Sequence, residues 1–72
     1  MARSHIHEIR RGLIIARVAY RRTKSGTRHT IAVRRLLRDG QIWKSSTRFN
    51  VPDIPLLRLV LDEALTWIIN QS

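Results

Sequence analysis

The chain has 72 residues, with 14 Lys or Arg against 5 Asp or Glu, a formal net charge of +9 and no cysteine. That length admits one small domain, 1–72, and excludes a deep cleft with its own supporting shell; the missing cysteine excludes a disulfide framework and thiolate chemistry. No apolar run suits a signal peptide or reaches the ~20 residues of a membrane span, so an intracellular protein is expected.

The charge is uneven. Residues 1–48 carry 13 basic and 2 acidic residues, a net of +11, while residues 49–72 carry one basic and 3 acidic residues, a net of −2. Arginine dominates, and its planar fork suits phosphate. A polyanion is the expected partner.

Residues 1–11 are weakly patterned and read as a frayed terminus or an extra strand. His5, His7 and Glu8 match no zinc spacing, so no metal or cofactor is expected. Gly12–Arg22 reads as a strand, with Ile14, Ala16, Val18 and Tyr20 on one face and Leu13, Ile15, Arg17, Ala19 and Arg21 on the other. Gly12 reads as a bulge or bend. Thr23–Thr27 is a turn cluster. A four-residue loop there pairs Thr23 with Arg28 and sets Tyr20 opposite Ile31, Val18 opposite Val33 and Ile14 opposite Leu37.

Gly26–Phe49 reads as a hairpin about Asp39-Gly40. A two-residue loop, Asp39-Gly40, pairs Arg38 with Gln41 and mixes Arg35, Lys44 and Arg48 with the apolar residues. A three-residue loop, Arg38-Asp39-Gly40, puts Gly40 in the left-handed position of a type I turn with a bulge. It pairs Arg34 with Lys44, Ala32 with Ser46 and Thr30 with Arg48. The second register is preferred because it separates an apolar face, including Trp43 and Tyr20, from a cationic one. Arg35 alone falls on the apolar side and has to snorkel outward. Across three strands the cationic face then has two charged rows, Arg17-Arg34-Lys44 and Arg21 with Arg48. Like charges side by side on a sheet are destabilising unless an anion compensates them. The nucleic-acid-binding residues expected from this are Arg17, Arg21, Arg34, Lys44 and Arg48, in a groove that tracks phosphates.

After the break at Asn50-Val51-Pro52, Asp53 reads as an N-cap and Ile54–Asn70 as a helix, with Pro55 in its first turn. Its apolar stripe is wider than one small sheet requires. The expected fold is α+β: an antiparallel three- to four-stranded sheet followed by one C-terminal helix, dimerising through Leu57, Leu61, Ala64 and Ile68. No nucleophile, base and acid set is present, so no enzyme is expected.

The stretch Thr30–Leu65 resembles the single-stranded-DNA-binding transcriptional coactivator family called positive cofactor four. Ala32-Val33-Arg34 lies where that family ends a strand in Ile-Arg, Asp39-Gly40 matches its acid-Gly turn, and Lys44 and Arg48 have its basic spacing. The strands-then-helix order is also similar to the Whirly and Pur single-strand binders. The resemblance implies a helix-mediated homodimer binding single-stranded DNA, or less readily RNA, through Arg34, Lys44 and Arg48, in a transcription or replication accessory role. Two alternatives remain. One is a duplex-DNA domain laying its sheet in the major groove, similar to integrase arm-binding domains. The other is a protein-interaction module with a basic face.

Overall fold

Three two-residue turns shape the first two-thirds of the chain. In the computed structural model, which describes residues 4–71, β1 (Ser4–Arg11), β2 (Ile14–Thr23), β3 (Gly26–Asp39) and β4 (Ile42–Ser46) form an antiparallel sheet in the order β1-β2-β3-β4. A 3-10 turn, Val51–Asp53, leads into α1 (Ile54–Gln71). The fold is the expected α+β arrangement, with residues 4–11 forming a full fourth strand.

Gly12-Leu13 and Gly40-Gln41 close the first and third hairpins, with φ +60° at Gly12 and +64° at Gly40. A positive φ confined to the first central position is the type II′ pattern, whose twist matches the flanking strands. Each glycine is preceded two residues earlier by an arginine. Arg10 Nε donates to the Gly12 carbonyl at 3.2 Å, and Arg38 Nε donates to the Gly40 carbonyl at 2.7 Å. The motif Arg-x-Gly-x-Ile thus recurs at both turns. Gly12 is a turn residue, not a bulge.

These turns correct both expected registers. At the second hairpin Thr23 pairs with Gly26 around Lys24-Ser25, so Val18 faces Ile31, Ala16 faces Val33 and Ile14 faces Arg35. The shift is two residues, so every side chain keeps its expected face. At the third hairpin Asp39 pairs with Ile42, Arg38 with Trp43 and Leu37 with Lys44. That shift is odd, and an odd shift exchanges the faces of β4. Neither Asp39-Gly40 nor Arg38-Asp39-Gly40 is the loop, because the type II′ turn takes glycine first and leaves Asp39 in the strand.

α1 packs over β1 and β2. Ile9, Ile14, Ala16 and Val18 from the sheet meet Val60 and Ala64 from the helix, with Val33, Phe49, Leu57, Trp67 and Ile68 around them. Fully burying a side chain such as Ile14, Val18 or Val60 contributes roughly 1.5–3 kcal/mol. The ring of Trp67 stacks on His7 at 4.2 Å and tilts against Tyr20, which also stacks on His5 and His29. The N-terminal histidines therefore extend the apolar layer. Arg35 does sit on this side, and it turns its Nε to the Arg48 carbonyl and to Asp53 Oδ2. Asp53 Oδ2 also accepts from the Asn50 backbone N–H at 2.8 Å, fixing the entry to α1.

Ala64 is 0% exposed against the chain's own sheet, and Leu57 and Ile68 are half-buried there. Of the expected dimer residues, Leu61 is the one on an open flank, at 39% exposure. The helix's stripe is used first on its own sheet because that sheet has no other cover. Among the described residues, no helix is long and apolar enough to cross a membrane.

Candidate nucleic-acid interface

The register divides the sheet into a helix-side face and an outer face. Pairing Glu8 with Arg17, Arg10 with Ile15 and Ile15 with Arg34 places these side chains on the outer face. Arg21 opposite Arg28, Leu13 beside Leu36, and Arg38 opposite Trp43 complete it. The face therefore carries Arg10, Arg17, Arg21, Arg28, Arg34 and Arg38, with Glu8 as its one acid among the described residues. From Arg28 to Arg38 the strand rise spans ~33 Å.

The arginines are interleaved with apolar groups. Ile15 is only 4% exposed although no helix covers it, and its cross-strand neighbours are Arg10 and Arg34. The aliphatic stems of long basic side chains can cover such a residue while their heads stay in water. Ile6, Leu13 and Trp43 are exposed on the same face, Trp43 by 55%. The Arg38 guanidinium lies 5.8 Å from the centre of the Trp43 ring, within range of a cation–π contact.

The other acids lie elsewhere. Arg11 pairs with Glu63, Arg35 with Asp53 and Lys44 with Asp39. All three pairs belong to the helix side. Among the described residues no carboxylate pairs with any of the six outer-face arginines. Arg21 and Arg28 sit directly opposite each other, a repulsive arrangement that an anion would relieve.

Of the expected site residues, Arg17, Arg21 and Arg34 share this face, though not in the expected rows. Arg17 sits opposite Ala32, and Arg34 sits opposite Ile15. Lys44 does not join them: it lies on the helix side opposite Leu37 and reaches Asp39 Oδ2 at 3.2 Å. Arg48 lies beyond β4, its backbone N–H donating to Ser46 Oγ at 3.0 Å. Trp43 is exposed, contrary to the expected core placement, because the odd shift exchanges it with Lys44. Sequence reasoning missed Arg10, Arg28, Arg38 and Trp43. Parity on β3 already puts Arg28 and Arg38 with Arg34, and a Gly-first turn would have brought Trp43 to join them.

Among the described residues no group of three or more His, Cys, Asp or Glu is placed to hold a metal ion. A shallow groove between β1 and α1 is lined by His7, Arg11, Glu63 and Trp67, residues already engaged with one another. Comparison with protein-family models, with curated proteins and with solved structures finds no match to the chain.

Proposed function

We propose that the outer sheet face binds single-stranded nucleic acid, DNA before RNA, with little sequence preference. The observation that carries this reading is a run of six arginines, none of them in an ion pair among the described residues, sharing one face with an exposed tryptophan. Non-specific single-strand binders combine a cationic track for the backbone with aromatic rings on which bases stack. Arg10, Arg17, Arg34 and Arg38 would hold successive phosphates, and Arg21 and Arg28 would meet the strand further along. Trp43 would stack on an unpaired base, with Leu13, Ile15 and Leu36 as apolar ground between charges. The resemblance to single-stranded-DNA-binding coactivators supports Arg34 in this role. It does not support Lys44, which lies on the other face. No catalytic step is proposed, and an accessory role in transcription or replication suits such a binder.

One observation favours a duplex reading. β3 pairs with β2 as far as Arg35 and with β4 from Arg35 to Asp39, so the β3–β4 hairpin extends beyond the rest of the sheet. A two-stranded ribbon of this kind fits a major groove, where Arg38 could meet a guanine edge. Competition separates the readings. Labelled oligo(dT) bound to the protein should be displaced by unlabelled oligo(dT) and not by an equal concentration of duplex. Equal or better displacement by duplex would transfer the face to major-groove recognition. Absence of binding to either at low salt would leave an acidic protein as the partner.

A further inference from the structure

β3 has 14 residues and its neighbour β4 only five. β4 pairs with β3 from Arg35 to Asp39, so among the described residues no strand lies beside residues 26–33 on the side away from β2. Thr23 and Gly26 close a two-residue turn, which makes them a hydrogen-bonded pair, and such pairs alternate along an antiparallel ladder. Arg28, Thr30, Ala32 and Arg34 therefore direct their backbone N–H and C=O groups to β2. Thr27, His29, Ile31 and Val33 direct theirs to the open edge. The third hairpin gives the same parity: Asp39 pairs with Ile42 across its two-residue turn, which turns Arg35 and Leu37 toward β4. Among the described residues no backbone group of a turn or loop reaches the open edge. Gly26, Thr27, Arg28, Thr30 and Ala32 are exposed, and so is Ile31, by 42%. Sheet edges are commonly blunted by proline, lysine or a bulge, and none of these interrupts residues 26–33.

We infer that this edge takes up an extended acidic peptide as an added strand, antiparallel to β3. In strand addition the edge N–H and C=O groups supply main-chain hydrogen bonds, and alternate side chains supply specificity. Antiparallel pairing continues the pattern of the whole sheet and is the more stable per residue. The side chains flanking the edge define the partner. On the outer face the added strand would lie beside Arg28, with Arg21 opposite Arg28 on β2 and Arg34 further along β3. None of these three arginines is in an ion pair among the described residues. Carboxylates at every second position of the peptide would meet that charge, since opposite charges across a strand pair attract. On the helix side its neighbours would be Thr27, His29 and Ile31, so the intervening positions suit β-branched apolar residues. A second copy's β3 fits poorly, because it would bring Arg28 and Arg34 of both chains to one seam. The contact is made through the backbone edge of β3, so the inference goes beyond nucleic-acid binding and does not depend on it.

The probe is the peptide Glu-Val-Glu-Val-Glu-Val-Glu, fluorescein-labelled at its N-terminus and amidated at its C-terminus, titrated with the full chain and read by anisotropy. Laid against residues 26–32, its valines face Thr27, His29 and Ile31 and direct their N–H groups to the edge. The unmodified peptide should bind. N-methylation of its valines removes those donors and should weaken binding roughly tenfold or more. N-methylation of its glutamates keeps both the charge and the inward donors and should leave binding close to that of the unmodified peptide. On the protein, Ile31→Pro removes an edge donor without touching the ladder to β2 and should weaken binding, whereas Ile31→Val should not. If Ile31→Pro loses its far-UV circular dichroism, amide hydrogen exchange of the wild type replaces it. The peptide should slow exchange at Thr27, His29 and Ile31, and leave Arg28, Thr30 and Ala32, already bonded to β2, unchanged. Absence of peptide binding at low salt would overturn the inference. So would equal binding by the valine-methylated peptide, which would mean that charge alone holds it, or unslowed exchange at Thr27, His29 and Ile31 in the bound protein.

Discussion

Trp43 and Lys44 are neighbours in sequence with opposite surroundings, and the difference gives the sharpest test at the residue scale. Trp43 faces outward under the Arg38 guanidinium. Lys44 faces the helix side and is paired with Asp39. Stacking a base on an aromatic side chain is worth about 1–3 kcal/mol by alanine substitution. Trp43→Ala should therefore weaken oligo(dT) binding by roughly 5- to 150-fold, measured by fluorescence anisotropy. Lys44→Ala should change it by less than Trp43→Ala does. The reverse ranking would mean that Lys44, not Trp43, touches the ligand. A similar contrast holds for charge. Arg34→Ala should shallow the slope of log affinity against log salt by up to ~0.7 if it removes one phosphate contact. Arg35→Ala should leave that slope in place, because Arg35 is turned toward Asp53 on the helix side.

At the scale of elements, the glycine-led turns decide which face each strand presents. An L-residue at Gly40 would have to adopt φ near +64°, at a cost of about 1–2 kcal/mol. A Cβ there meets nothing within 4 Å, so strain is the whole penalty for Gly40→Ala. At Gly12 the added Cβ would also lie 3.3 Å from Leu56 Cδ1, so Gly12→Ala should cost more than Gly40→Ala. Urea unfolding midpoints compare the two; equal losses would mean that the α1 contact at Gly12 gives way freely. These turns also explain what was legible beforehand. Ile14, Ala16, Val18 and Tyr20 alternate so strictly that the core face of β2 could be read directly. So could the helix, expected over Ile54–Asn70 and found over Ile54–Gln71. β1 was obscure because His5 and His7 look polar, yet both rings stack on aromatic neighbours in the apolar layer. The face of β4 was misread because the sequence pattern favours the three-residue loop Arg38-Asp39-Gly40, which differs from the Gly40-Gln41 turn by an odd shift; the two-residue Asp39-Gly40 loop differs by an even one and keeps the observed faces. The candidate site was accordingly legible in part on β2 and β3, which carry Arg17, Arg21 and Arg34, while Arg28 and Arg38 on β3, Arg10 on β1 and the face of β4 were missed.

For the whole molecule, six arginines lie on one side of the sheet, interleaved with apolar residues, and α1 packs on the other. Glu63, Asp53 and Asp39 pair with Arg11, Arg35 and Lys44 on the helix side, and the outer face keeps a run of arginines. Arginine side-chain resonances report directly on the proposal that the outer face, and not the helix side, binds nucleic acid. Nuclear magnetic resonance spectra of the Nε–Hε groups, recorded while oligo(dT) is added, should show Arg10, Arg17, Arg34 and Arg38 shifting together while Arg11 and Arg35 stay in place. Shifts confined to Arg11 and Arg35, or no shift at saturating oligo(dT), would contradict the account.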